Sequence, residues 1–295
     1  MDDRIQKLKR KRAGFRIFYG FMAAYLLFSL ALLYRMRISG LVAALLAPLW
    51  YIIFLRPAIR RFGAEKRTLN MVLAYGSFLD TIIPKADHVI LREDVDAAGL
   101  IPTQEKGFLS LNGFTGTFRK LPVAAGEITN YHRLDLKNPK DSRLLFLTGT
   151  FIRLRLPADT GINLRALSLG LLAEKTRRVF FEEQQGLKEI PLPKGSLKQK
   201  FILYDDSGEM PDSEIQNGLL KLRAASRDNI AVSIQGYLVS VFFQNSFLAC
   251  DYHVYDEITD ANLKMVRCPE FKAALLFSSC LASHPLSHRI SGSDQ

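Results

Sequence analysis

Two apolar runs close to the start of the chain constrain it more than any other feature. Phe15–Tyr34 is twenty residues long with one charge, Arg16, at its mouth, and Ile38–Leu55 is eighteen residues with none. Only Arg35, Met36 and Arg37 separate them. At a helical rise of about 1.5 Å per residue, each run matches a ~30 Å hydrocarbon core. The pattern predicts a basic N-terminus and transmembrane helical hairpin over residues 1–62, with spans at about 15–34 and 38–55. A cytoplasmic α+β domain follows over 63–283, with a mainly antiparallel sheet and flanking helices, then a disordered tail over 284–295. A cleaved signal peptide fits poorly, because the first run is too long and the second follows at once. Pro48 permits a kink, so the hairpin either crosses the bilayer or dips in and returns.

The charge supports the same division. The 295 residues carry a net +11, with 40 Lys/Arg against 29 Asp/Glu. Residues 1–67 hold 14 of the basic and 3 of the acidic residues, so the +11 resides there, and the remaining 26 of each sign cancel. Basic residues favour the cytoplasmic side, which puts both flanks inside and the turn outside. The expected location is a bacterial inner membrane, multi-pass, with N- and C-termini cytoplasmic. The expected partners are the bilayer, with anionic lipids at the basic flanks, and a membrane protein or a second copy of the chain. A neutral soluble domain has no excess charge for phosphate neutralisation, so nucleic acid is excluded as a partner. Three cysteines, Cys250, Cys268 and Cys280, form no disulfide framework and suit a reducing compartment.

Beyond the anchor, apolar residues at three- and four-residue steps predict a helix over Ala64–Ile83, ending at Pro84, and a short helix over Glu93–Ala98, closed by Gly99. Strands are predicted at Phe108–Leu111, Phe114–Phe118, Leu121–Val123, Glu127–Leu134, Arg143–Leu156, Val179–Phe181 and Phe201–Tyr204. In the fifth of these, Arg153 and Arg155 occupy a wet face. Gly113 and Gly116 read as a turn or bulge. The tetrad Thr-Gly-Thr-Phe at 115–118 recurs at 148–151 without matching flanks, so it reads as two strands in similar settings. A helix begins at Pro211-Asp212-Ser213, with Ser213 and Gln216 in capping-box spacing, and runs to Ala225. A hairpin over Ile230–Phe243 turns at Gln235-Gly236, and a last helix runs from Pro269 to about Ala282.

This order of elements resembles a bacterial family known only as a domain of unknown function with an N-terminal two-span membrane anchor. The residues that carry the likeness are Gly113–Phe118, Phe146–Phe151, Phe201–Asp206, Asn217–Leu222 and Ile230–Phe242. It implies a membrane-anchored α+β domain facing the cytoplasm, and no catalytic residues.

No recognised chemistry emerges from the motifs. Cys250 and His253 supply two ligands where structural zinc takes four, and their spacing on a strand sends them to opposite faces. His284 and His288 fall in the tail, and His88 reads as a surface histidine. There is no nucleophile elbow, P-loop or dinucleotide fingerprint. The pairs Glu182-Glu183 and Asp205-Asp206 read as solvated charges pointing apart. No catalytic, cofactor-binding or metal site is assigned and no cofactor is expected. The leading expectation is a non-enzymatic domain that binds or regulates a protein at the membrane. The alternatives are an enzyme of unfamiliar type, with Glu127, His132 and Asp135 as a scattered site, and an accessory subunit of a transport complex, packed through Ala43, Ala44 and Ala47.

Overall fold

A computed structural model describes residues 2–36, 48–49, 51–134, 143–248 and 269–283. They fall into two compact units, the first reaching Leu73 and the second starting at Ala74. In the first unit, α1 (Asp2–Met36) is a single helix of 35 residues. One stretch of it, Ile5–Ala31, is long and apolar enough to cross a membrane. Most of the second apolar run lies outside the described residues. Its last part, Tyr51–Leu55, is a π-helical turn leading into α2 (Arg56–Tyr75). Ile5 and Leu8 of α1 form a buried cluster with Phe62 and Leu69 of α2. Phe15 meets Phe62 edge to face at 5.4 Å, and Lys11 Nζ donates to both carboxylate oxygens of Glu65 at 2.7 and 2.6 Å. These contacts run the two helices antiparallel.

The second unit is an α+β domain on a nine-stranded sheet of order β1-β2-β3-β4-β9-β8-β5-β7-β6, antiparallel at each pairing. The strands are β1 Thr81–Asp87, β2 Phe108–Phe118, β3 Leu121–Leu134, β4 Arg143–Arg155, β5 Asn163–Ser168, β6 Lys188–Glu189, β7 Phe201–Asp205, β8 Ile230–Gln235 and β9 Leu238–Phe243. Four helical segments accompany them: α3 (Arg92–Ala98), α4 (Glu174–Arg177) running into a π-helical segment (Arg178–Gln184), α5 (Ser213–Ala225) and α6 (Pro269–Ser283).

Several expectations are corrected. The exit helix stops at Tyr75, and Thr81-Ile82-Ile83 belong to β1 with Pro84 inside the strand. β1 is an edge strand, where proline is tolerated. Val179-Phe180-Phe181 lie in the π-helical segment, where Phe181 is buried and stacks on Tyr204. Ser213 caps nothing: Asp212 is the N-cap without a side-chain bond, and the Gln216 amide donates back to the Pro211 carbonyl at 2.7 Å. The bulge near Gly113 is present as a register shift between Leu111 and Phe114. The repeated tetrads share no environment: Phe118 is opposite Leu121 on one face of the sheet, Phe151 opposite Gly126 on the other.

Both faces of the sheet are covered over most of its width. On one face Phe151, Leu167, Ala231 and Phe242 meet Ile90, Val95, Leu100 and Ile101 around α3, together with Phe181. On the other, α5 packs against α6, and α6 against β4 and β9. That layer buries Ile215, Leu219 and Leu222 of α5 with Phe271, Ala274 and Leu275 of α6. The ring of Tyr75 sits 5.0 Å from both Phe114 and Phe271, and its hydroxyl donates to the Phe247 carbonyl at 3.0 Å.

Candidate functional site: an inverted sheet end and a buried charged row

In a half-covered strand apolar residues turn inward and polar ones outward. At one end of this sheet the rule is reversed. In β2, Ser110 is buried and its hydroxyl accepts from the Ile90 N–H at 3.4 Å, while the adjacent Leu109 and Leu111 face outward. In β3, Asn130 is fully buried and donates to the Pro102 carbonyl at 2.6 Å, while Tyr131 faces outward. In β4, Leu147 is buried and Phe146 lies outside. The register places Leu109 opposite Thr129, Thr129 opposite Thr148, and Tyr131 opposite Phe146. The rings of Tyr131 and Phe146 are 4.6 Å apart. Leu109, Leu111, Tyr131 and Phe146 are 45–57 % exposed, so three neighbouring strands present one apolar, aromatic surface.

The arrangement costs stability twice. The Oδ1 of Asn130 is buried with no hydrogen bond among the described residues, a loss of about 1–3 kcal/mol. Each leucine or aromatic left about half exposed forgoes roughly half of the ~1.5–3 kcal/mol that full burial of such a side chain contributes. Among the described residues, 244–248 cover the adjoining row of the sheet. Thr150 Oγ1 donates to the Asn245 carbonyl at 2.8 Å, and Glu127 Oε1 accepts from the Leu248 N–H at 3.1 Å. Among the described residues, the next two rows, toward Phe146 and Leu109, hold the exposed side chains.

A second feature lies on the opposite face, where the register strings polar residues across neighbouring strands. Glu189 is opposite Tyr204, Tyr204 opposite Arg165, Arg165 opposite Ser233, Ser233 opposite Ser240, and Ser240 opposite Arg153. Arg153 is not on a wet face as its alternation suggested. It is half-buried under α3, where it forms an ion pair with Asp94. Arg165 is 3 % exposed. It donates to Asn163 Oδ1 at 2.9 Å and to the Leu164 carbonyl at 3.3 Å, while its Nε has no partner among the described residues. Burial pulls its pKa down from the ordinary guanidinium value to about 10, against the pull of Asp205 and Asp206 in the opposite direction.

Those two carboxylates converge, contrary to the expectation from strand alternation. β7 ends at Asp205, so the alternation ends with it, and both side chains accept from the Ser207 N–H, at 3.3 and 2.8 Å. Burial and the hydrogen bond to its neighbour raise the pKa of Asp205, and the same bond lowers that of Asp206. Asp206 also accepts from Asn163 Nδ2 at 3.3 Å, which links the pair to Arg165. Arg165 lies inside the fold, whereas Asp205 is half-buried and Asp206 exposed, so the network runs from the core to the surface.

Of the scattered trio considered for an enzyme, Glu127 alone has its side chain among the described residues. Glu127 is engaged by the Leu248 N–H and by Asn112 Nδ2, the latter at 2.8 Å. Asp135, Cys250, His253, His284 and His288 lie outside the described residues. His88 is exposed. No protein family, curated protein or solved structure matches the chain.

Proposed function

We propose that this protein is a membrane-anchored domain that binds another protein through the open end of its sheet, at the inner face of a bacterial cytoplasmic membrane. The observation that carries the reading is the inversion on β2, β3 and β4. Ser110 and Asn130 are held inside while Leu109, Leu111, Tyr131 and Phe146 are held outside. An apolar, aromatic surface crossed by one hydrogen-bonded threonine pair, Thr129 and Thr148, has the composition of an interface core. A protein surface of similar apolar character is the occupant that would desolvate it.

The anchor in this reading is a two-span hairpin, in keeping with the likeness to two-span bacterial anchors. Its support is the antiparallel contact of α1 with α2. The basic segment before the first run lies beside the basic segment after the second, and flanks that lie side by side share one side of a membrane. Ile17, Phe21, Leu27 and Leu30 are 60–71 % exposed along α1, as suits a lipid-facing belt.

One labelling experiment tests the topology and one crosslinking experiment the binding. With Cys250 and Cys268 replaced by serine, the exposed Cys280 should react with an impermeant thiol reagent only after cells are permeabilised. Labelling in intact cells would refute the cytoplasmic assignment. A photo-crosslinker at position 146, in native membranes, should give a discrete protein adduct that is absent when the crosslinker sits at the exposed Lys221 of α5. Equal adducts from both positions would refute the docking surface.

A further inference from the structure

Between α1 and α2, the first unit encloses an open cleft of about 750 Å³, within the size range of ligand sites. Its lining changes character along both walls in the same direction. On α1 it passes from Lys11 through Phe15 to Phe18, and on the facing wall from Glu65 and Arg61 to Phe54 and Ile53. Lys11 and Phe18, like Arg61 and Phe54, are seven positions apart, about 10 Å along a helix. The cleft is therefore charged at one end and apolar at the other, and the apolar end points along α1 toward the exposed belt at Phe21 and Leu27. The only acid among the described lining residues, Glu65, is bound by Lys11. The rim therefore presents net positive charge, within a segment that carries the protein's whole basic excess.

We infer that this cleft is a binding site for one anionic glycerophospholipid. Its phosphate sits at the rim, against Arg61 and Lys11, and an acyl chain lies along Phe15, Phe18 and Phe54. The argument is complementarity in both respects: a negative, hydrated head and an apolar tail, in the order and over the distance the walls require. A soluble anion would leave the aromatic end unfilled, and an apolar helix would strand the guanidinium. The inference rests on the reading of α1 as membrane-embedded, and its test separates the two.

In a Trp50→Phe background, a single tryptophan is placed by Phe18→Trp in the cleft or by Phe21→Trp on the outward side, and the full chain is reconstituted in phosphatidylcholine vesicles. A minor fraction of the lipid is phosphatidylglycerol, and either lipid carries dibrominated, fluorescence-quenching chains. The tryptophan at position 18 should report phosphatidylglycerol enriched about fivefold or more over the bulk mixture, as one to two added basic contacts predict. The tryptophan at position 21 should report the bulk ratio. Arg61→Gln should abolish the enrichment and Arg61→Lys should restore it. Native mass spectrometry of the unsubstituted chain should find phosphatidylglycerol retained in preference to phosphatidylcholine. If both positions report the bulk ratio, or if only position 21 is quenched because protein fills the cleft, the lipid site is overturned and the membrane reading stands. If neither position is quenched by either lipid, both fail.

Discussion

Replacing Arg165 with methionine should stabilise the second unit, although it removes a charge bound to its neighbours. The fall of the Arg165 pKa from the ordinary guanidinium value to about 10 corresponds to a cost of about 3 kcal/mol for keeping the guanidinium charged inside, at ~1.36 kcal/mol per pH unit. Its hydrogen bonds to Asn163 and Leu164 return about 1 kcal/mol each. Methionine keeps the apolar stem, so the expected gain is about 1 kcal/mol, in line with other replacements of buried ions by apolar residues. Pulse proteolysis of the detergent-solubilised full chain in urea should show the midpoint rising by roughly 0.3–0.5 M, for a slope of ~2–3 kcal/mol/M. The pH dependence gives a second reading. A base with a depressed folded-state pKa destabilises fully below that pKa, and the penalty fades as pH rises above about 10. The advantage of the variant over the parent should therefore narrow by about 1 kcal/mol by pH 11. A variant less stable than the parent by about 2 kcal/mol or more, with a pH-independent gap, would refute this account and make the guanidinium a net source of stability.

Three further substitutions probe the frame around the open surface. Gly218→Ala should destabilise by about 1–2 kcal/mol in urea denaturation. An added Cβ would lie 2.5 Å from the buried Phe277 ring, and overpacking outweighs the roughly 1 kcal/mol gain in helix propensity; a more stable variant would refute the close packing of α5 on α6. Lys120→Gly should raise stability by about 0.5–1 kcal/mol, because Arg119 and Lys120 form the β2–β3 turn at φ 49 and 67, where a two-residue hairpin turn favours Asn-Gly. The Lys120 N–H bond to Asp80 is kept, and a fall in the thermal midpoint would contradict the strain. Phe146→Ser should change stability by less than about 1 kcal/mol and abolish the crosslinked adduct formed from position 131, whereas an unchanged adduct would place the partner elsewhere.

The corrections share a cause. Periodicity assigns a face only when one face is dry and the other wet, and the long strands at 108–134 and 143–155 were legible because their turns and apolar content are local. β5 escaped notice because both of its faces are buried, so Leu164 and Ala166 alternate with Arg165 and Leu167 and a charge in the middle reads as solvent-exposed. The exposed end escaped for the converse reason. Leu109-Ser110-Leu111 has the alternation of an ordinary half-buried strand, and only the packing of Ile90 onto Ser110 reveals that its apolar side is the outer one. A serine or asparagine flanked by large apolar residues in a strand is the local sign that such an inversion is available.

Sequence alone determined the features that depend on composition along a line: two runs of membrane-spanning length, a basic excess confined to the first 67 residues, and a neutral α+β domain after them. Hydrophobic length and charge are properties of a segment, so no partner is needed to read them. Tertiary structure decided which charges meet and which side chains remain outside. Asp205 and Asp206 converge because β7 ends between them, and Lys11 finds Glu65 across 54 positions. Among the described residues, 244–248 cover the sheet over Glu127 and Thr150, while Leu109 and Phe146 are exposed. Each of these is set by what lies opposite in space, which the linear order of residues does not contain.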